Sequence, residues 1–215
     1  PQPALSSTQG VSLALLRHLV REAARYRAVP GLWRTWRHWE RPPSRRRAGQ
    51  PLDTEDVLHE ILLPLTADAG CALIDAVAPE HRGPATHFAS HSWSTVFEDA
   101  VAALGQVATE PEHRVWFCAI STNHHRANQV GPEFLRTQFR EAVEAVECTV
   151  LVLAPWREPD ALSRSWCLYE VHESLSLGKR VEVCMPRSEA AEFQEAVQDD
   201  LDAVAARMTD VNLRT

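Results

Sequence analysis

The chain has 215 residues, of which 45% are apolar and 24% are charged, and its formal net charge is −7. This is ordinary globular composition, and a chain of this length can bury a sizeable core without disulfides or a metal. No run of apolar residues approaches the roughly 20 needed to cross a bilayer, so we expect no membrane partner.

Charge is distributed unevenly along the chain. Residues 1–50 hold ten Arg and two acidic residues, a net charge of +8, whereas the remainder carries −15. A basic arm on an acidic body suggests an interaction segment. Of the 22 basic residues only Lys179 is a lysine, and this bias points to codon usage rather than chemistry. We therefore do not expect nucleic acid as a partner.

The first 83 residues are predicted to be helical. Apolar periodicity and turn residues delimit three helices, over 11–27, 53–63 and 67–78. Asp53 or Thr54 is expected to cap the second helix, and Pro64 to end it. This part divides into a basic, Trp- and Arg-rich helical extension, 1–50, and a helical lead-in, 51–83.

Strands and helices alternate in the rest of the chain. The predicted strands are 86–90, 115–120, 149–154 and 180–185, with one more at 211–213. The predicted helices are 94–107, 133–147, 163–177 and 188–208. This order predicts an α/β domain over 84–215, a flavodoxin-like three-layer fold with a parallel sheet, with truncation at its C-terminal end left open. Ligands of such folds bind beyond the carboxyl ends of the strands, so the functional edge is expected just after residues 90, 120 and 154.

Three blocks of this domain resemble a known family. They are HFASHSWSTVFEDAVAAL at 87–104, VWFCAISTNHHRANQ at 115–129 and TVLVLAPWREPDALSRSWCLYEVHESL at 149–175. Together they resemble a divergent TIR (Toll/interleukin-1 receptor) domain. The third block is the most specific, because its strand, its loop length and its W-C-L-Y-E order agree.

The resemblance implies an activity and a partner. Many TIR domains cleave NAD+ to nicotinamide and linear or cyclic ADP-ribose, in defence or stress signalling, with NAD+ as substrate and no cofactor. The glutamate that they require matches Glu170. A neighbouring subunit completes the site with its BB loop, which matches 123–132, so a homo-oligomer is implied. Other TIR domains are non-catalytic self-association scaffolds, and this remains the alternative.

The residues around Glu170 allow the same chemistry without the family. Trp166 and Glu170 are four apart on a helix and share a face, while Leu168, Val171 and Leu175 are expected to face the sheet. Breaking an N-glycosidic bond develops positive charge on the ribose, which one carboxylate can stabilise. From these residues alone, a solvated glutamate is the simpler interpretation, and the third block favours the catalytic one.

The turn after the first predicted strand supplies the other candidate residues. In the family this turn helps to line the nucleotide pocket, which implies substrate-binding roles for Ser90, His91 and Trp93, with Trp166 beside Glu170. The alternative is structural, since Ser92, Ser94 or Thr95 can cap the following helix.

Two other kinds of site are weaker. Cys167 and His172 are five residues apart and diverge by about 140° around a helix, which argues against a Cys–His nucleophile. The residues considered for zinc match no familiar spacing: His87, His91, Cys118, His124 and His125. We expect no metal. The five cysteines, an odd number without a Cys-x-x-Cys motif, favour a reduced, cytoplasmic protein.

The indoles of Trp33, Trp36 and Trp39 lie three residues apart among arginines. A membrane or nucleic-acid element is one interpretation. Three large aromatics in nine residues rarely stay exposed, so we prefer a segment that docks on the α/β body, with an oligomer contact second.

Overall fold

A computed structural model describes residues 7–28 and 50–206 of the chain. The strands β1–β6 are Gln9–Ser12, Arg82–Pro84, His87–Ser90, Arg114–Trp116, Cys148–Val152 and Arg180–Cys184. The helices α1–α10 are Leu13–Ala28, Thr54–Val57, Leu63–Thr66, Leu73–Ala76, Phe97–Leu104, Cys118–Ser121, Pro132–Ala145, Asp160–Ser163, Ser165–Ser176 and Arg187–Asp199. A π-helical turn, Leu58–Leu62, joins α2 to α3, and 3₁₀ turns occupy Pro79–His81 and Ala127–Gln129.

The strands form one sheet in the order β2-β1-β4-β3-β5-β6. The pairs β4–β3, β3–β5 and β5–β6 are parallel, whereas β1 is antiparallel to both of its neighbours. The α/β, flavodoxin-like prediction is therefore confirmed. After β4 the chain crosses to the other side of β3 to form β5. The carboxyl ends of β3 and β5 thus flank the switch in strand order, where ligands bind in this fold class.

Alternating side chains give the sheet two buried faces. Ala89, Val115 and Val150 point to one face and join the core formed with α1, α5 and the lead-in helices. Phe88 and Trp116, their neighbours along the strands, point to the other face, where they pack against α7. The period-two alternation of a strand separates the two sets, and helices on both faces make three layers.

The N-terminal segment belongs to the sheet as well as to a helix. The predicted helix 11–27 is wrong at its start, because Val11 and Ser12 lie in β1 and the helix begins at Leu13. Helix α1 then packs against α5, with Leu16 fully buried. The prediction that an indole-rich segment docks on the body falls on Trp33, Trp36 and Trp39, which lie outside the described residues.

Several predicted boundaries differ from the structure for local reasons. Pro64 does not end a helix: it lies in α3, which continues directly from the π-helical turn Leu58–Leu62. The predicted helix 67–78 is reduced to α4, because Gly70 adopts a positive φ of 59°. Gly178 follows α9 with a φ of 66°, as its C-cap prediction requires. The strand predicted over 115–120 ends at Trp116 and turns into α6.

The C-terminal part of the chain is helical as far as the structure describes it. The predicted helix 188–208 corresponds to α10, which ends at Asp199, followed by a helical segment over 201–206. The strand predicted at 211–213 lies outside the described residues. In the part of the chain that the structure describes, no helix is both long and apolar enough to span a bilayer.

Gly10 tests the packing of β1 against β4. A Cβ on Gly10 would lie 2.8 Å from the backbone of Val115, whereas one on Gly83, its partner on β2, would meet only the Arg114 side chain at 3.6 Å. Gly10→Ala should therefore lower the free energy of unfolding by about 1–3 kcal/mol in urea denaturation. Gly83→Ala is the matched control and should change it little. Equal stability of the two variants would show that β1 does not pair with β4 in this register.

Candidate active site

A buried hydrogen bond joins the carboxyl end of β3 to the helix α9. Ser90 is the last residue of β3, and its Oγ–H donates to Oε2 of Glu170 at 2.6 Å. Ser90 is fully buried and Glu170 is 7% exposed. The pair lies at the switch in strand order between β3 and β5, so the structure brings together two residues that are 80 positions apart.

The contact arises because β3 and β5 each place a hydroxyl-bearing side chain, rather than an apolar one, against α9. Thr149 on β5 shares a hydrogen bond with Ser174 of α9, with 2.7 Å between their Oγ1 and Oγ atoms. The buried positions of α9 are accordingly Cys167, Glu170, Glu173 and Ser174. A helix that packs on hydroxyl-bearing strands buries polar side chains that can bond to them.

The predicted orientation of α9 is therefore wrong for two of its three residues. Leu168 and Leu175, expected to face the sheet, are 40% and 62% exposed, whereas Val171 is partly buried and packs against the cluster that contains Leu151 of β5. The signal that the prediction missed was the spacing of Cys167, Glu170 and Ser174, which also repeats at helical period. Ranking residues by hydrophobicity selected the outward stripe instead.

Burial also overturns the interpretation of Glu170 as a solvated glutamate. Desolvation raises the pKa of Glu170 to about 8, while the hydrogen bond from Ser90 and the charge of Arg164 oppose the rise. Near neutral pH the group is largely a neutral carboxylic acid. A cation placed beside it would favour the carboxylate, so this group can respond electrostatically to a positively charged ligand.

The turn after β3, residues 91–95, is hydrogen-bonded to the loop after β5, residues 153–164. Oγ of Ser94 donates to Oδ2 of Asp160 at 2.5 Å and lies 2.6 Å from Oγ of Ser92. Nη1 of Arg164 donates to the same Ser92 oxygen at 3.2 Å. Sequence reasoning missed Asp160, which lies in a predicted loop, and Arg164, which lies in the first turn of the predicted helix 163–177.

The hydroxyls of this turn do not cap the following helix. The N-cap residue of α5 is Val96, and no side chain bonds to the helix end. The capping alternative for Ser92, Ser94 and Thr95 is therefore wrong. The hydroxyls of Ser92 and Ser94 are directed into contacts at the carboxyl edge of the sheet.

His91 anchors the turn from the other side. Its Nε2 lies 3.1 Å from Oγ1 of Thr54, and its ring packs against Phe117 with centroids 4.4 Å apart. Burial lowers the pKa of His91 to about 4, so the ring is neutral at physiological pH. The lead-in contributes Thr54, a site residue that the sequence did not reveal, and fixes where the turn begins.

The two tryptophans occupy different surroundings. Trp93 is half-buried against the core, with its ring edge-on to His124 at 5.3 Å. Trp166 is 38% exposed and packs against Phe139 and Tyr169 on the flank of α9.

The residues considered for a Cys–His nucleophile and for a zinc site lie in separate surroundings. Cys167 is buried, and burial together with the nearby Glu170 raises the pKa of its thiol to about 12, whereas His172 is exposed. The histidines considered for zinc have separate partners: His87 contacts His113, and His125 bonds to Thr66. Within the described ranges, no three His, Cys, Asp or Glu side chains are arranged to hold a metal ion.

A cleft of about 420 Å³ lies away from Glu170. It is lined by Trp156 and Arg157 of the loop after β5 and by acidic residues of α10 and the segment beyond it, among them Glu192 and Asp199. Neither Ser90 nor Glu170 lines it. The burial and hydrogen bonding of Glu170, rather than the cleft, identify the candidate site, and Glu170 is enclosed in this conformation.

The segment 123–132 starts from a fixed base. The side-chain amide of Asn123 donates to the carbonyl of Gly70, and Nε2 of His125 lies 2.8 Å from Oγ1 of Thr66. Its first residues are thus held against the lead-in at the same edge of the sheet.

Comparison with protein-family models, with curated proteins and with solved structures finds no match for this chain.

The pKa values predict how stability depends on pH. The folded state holds the Glu170 proton up to about pH 8, while an unfolded chain releases it near 4.5, so stability falls as pH rises between these values. The lowered pKa of His91 has the opposite effect on stability. An unfolded chain takes up the His91 proton near pH 6.5 and the folded state only near 4, so stability falls as pH falls between these values. Between pH 6.5 and 8 the contribution of Glu170 should therefore dominate, at about 2 kcal/mol.

Glu170→Gln should remove the fall in the free energy of unfolding between pH 6.5 and 8, as measured by urea denaturation. Glu173→Gln is the matched control, because it neutralises a buried carboxylate three residues further along the same helix, and it should retain the fall. A Glu170→Gln protein with the wild-type pH dependence would contradict the burial described for Glu170.

Proposed function

We propose that the chain is a TIR-like NAD+ glycohydrolase that cleaves the nicotinamide–ribose bond. The observation that carries the proposal is the Ser90–Glu170 pair at the switch point of a parallel sheet. It supports the proposal because the glutamate singled out by the W-C-L-Y-E helix is buried among strand ends, and is not a solvated surface carboxylate.

The reaction needs little from the protein beyond positioning and charge. The C1′–N bond breaks, its electron pair goes to the pyridine nitrogen, and nicotinamide leaves as a neutral molecule without a general acid. Water adds to the ribosyl cation and loses a proton, giving ADP-ribose, or an adenine nitrogen adds to give a cyclic product. Glu170, as the carboxylate, hydrogen-bonds the ribose hydroxyls and stabilises the developing positive charge.

The surroundings of Glu170 suit this change of charge. In the closed site its raised pKa keeps it neutral, and the positive nicotinamide ring of NAD+ would draw it into the charged form. Ser90 stabilises that form by donating a hydrogen bond. Ser90 therefore has a positioning role for Glu170, and His91 a supporting role for the turn. Trp93 and Trp166 remain proposed substrate-binding residues at the edges of the site.

We also propose an assembly state and a cellular location for the protein. We expect a cytoplasmic homo-oligomer in which the 123–132 segment of one subunit approaches Glu170 of the next, within a defence or stress-signalling system. A fixed base at Asn123 and His125 supports this, since a loop anchored at one end presents its remaining residues with a smaller entropic cost.

A non-catalytic self-association module is the second candidate. Three exposed apolar side chains favour it: Leu168 and Leu175 on the outward face of α9, and Val183 on β6, which is 55% exposed. Apolar groups of this size on neighbouring elements are typical of a surface that contacts another protein. Both candidates predict assembly, and only the first predicts turnover.

Nicotinamide release from NAD+ by the purified chain separates the two. Glu170→Gln should lower the rate at least ~10²-fold, because it removes the charge that stabilises the ribosyl cation. Glu173→Gln should keep most of the activity, since a glutamine can still bond to Arg140, the ion-pair partner of Glu173. Undiminished turnover by folded Glu170→Gln would refute the catalytic assignment. No turnover by the wild-type chain in any assembly state would favour the scaffold.

Activity should also depend on self-association. Specific activity is expected to rise with protein concentration, because a site that has opened for NAD+ beside Glu170 needs a second wall, from a neighbouring subunit, to exclude water and hold nicotinamide. Light scattering on the same samples gives the mass of the active species. A concentration-independent rate from a species shown to be monomeric would contradict the shared site while leaving the role of Glu170 intact.

A further inference from the structure

Glu170 is enclosed in the described conformation, although the proposed reaction requires a ligand to reach it. Glu170 is 7% exposed, its carboxyl group is bonded to Ser90, and the cleft described above does not include it. The two segments that flank it are the turn 91–95, which directly follows Ser90, and the loop 153–164, which ends just before α9. In this fold class the space between those segments is where ligands enter.

These two segments are joined by side chains at their outer edge. Ser94 is exposed and Asp160 is half-buried, and their hydrogen bond of 2.5 Å spans 66 residues of sequence. Arg164, which is also exposed, bonds to Ser92, and the two serines bond to each other. This chain of contacts joins the segments that follow β3 and β5.

We propose that the Ser94–Asp160 and Arg164–Ser92 contacts form a latch over Glu170, and that the described structure is the closed state of the site. The inference rests on the proposed function, since a latch controls access only if a ligand must reach Glu170. It goes further by naming the contacts that must break first.

The loop is built so that it can open without unfolding its surroundings. Its first part is held by Trp156, whose backbone N–H donates to Glu189 of α10 and whose ring packs edge-on against Phe193. Between Trp156 and α9 the apolar side chains that pack inward are those of Pro159 and Ala161, with Leu162 partly buried beside them, so their withdrawal exposes a limited apolar area. The Ser94–Asp160 bond lies at an exposed edge and the Arg164–Ser92 bond is partly buried. Single hydrogen bonds of this kind contribute little net stability, which makes the open state accessible.

The latch also has the chemistry to respond to an anionic ligand. A diphosphate that enters between the two segments would repel the carboxylate of Asp160 and accept hydrogen bonds from Arg164 and the serine hydroxyls. The ligand would thus replace each contact that it breaks. A neutral ligand would gain neither effect, so the latch favours the nucleotide diphosphate part of the proposed substrate.

Chemical labelling of Glu170 in the full-length chain tests the latch without relying on turnover. The carboxyl groups are modified with a water-soluble carbodiimide and glycine ethyl ester at one fixed pH, and peptide mass spectrometry follows Glu170 relative to the exposed Glu133. Ser94→Ala and Asp160→Ala should each raise the labelling rate of Glu170 about threefold to tenfold, the effect of losing one such hydrogen bond. Ser163→Ala is the matched control, since its hydroxyl bonds within the loop to the backbone of Asp160, and it should change nothing.

NAD+ cleavage is measured on the same proteins. Raised labelling in both latch variants supports the latch even if no protein cleaves NAD+, in which case the proposed function alone fails. Unchanged or slower labelling in both variants overturns the latch, whatever the turnover. If Ser94→Ala does not fold, Asp160→Ala decides the question by itself.

Discussion

The hydrogen bond from Ser90 to Glu170 is the contact on which the arrangement of this site depends. A carboxyl group in a protein interior must be hydrogen-bonded, and its charged form is disfavoured unless it is compensated. Two strand residues meet this requirement by hydrogen-bonding to α9: Ser90 of β3 bonds to Glu170, and Thr149 of β5 bonds to Ser174. The polar stripe of the helix in turn leaves its leucines facing outward.

The order of the strands gives this contact its location. Because the chain crosses from β4 to the other side of β3 to form β5, the segments that follow β3 and β5 flank the switch in strand order. The lead-in holds the first segment through Thr54, and α10 holds the second through Trp156. A titratable carboxyl group therefore lies next to two anchored segments, which are joined by the side chains of Ser92, Ser94, Asp160 and Arg164.

The sequence predicted the order of strands and helices better than it predicted the side-chain contacts between them. Apolar runs such as 149–154 and helical periodicity define the alternating elements, because burial on both faces imposes those patterns directly. They do not distinguish a strand from a helix at Val11, because the four residues of β1 depend on two distant partners, β2 and β4. Nor do they orient α9, since its polar and apolar stripes repeat with the same period. Resemblance to a family selected Glu170, but it carried no information on Thr54, Asp160 or Arg164.

The central claim is that Glu170 is a buried carboxyl group stabilised by Ser90. The most direct measurement is a pH titration of the Glu170 side-chain carboxyl carbon by ¹³C NMR, in the wild-type chain and in Ser90→Ala. We expect a midpoint near pH 8 in the wild type, and a higher one in Ser90→Ala, because the hydrogen bond favours the charged form. A midpoint near 4.5 that does not move when Ser90 is replaced would contradict the account.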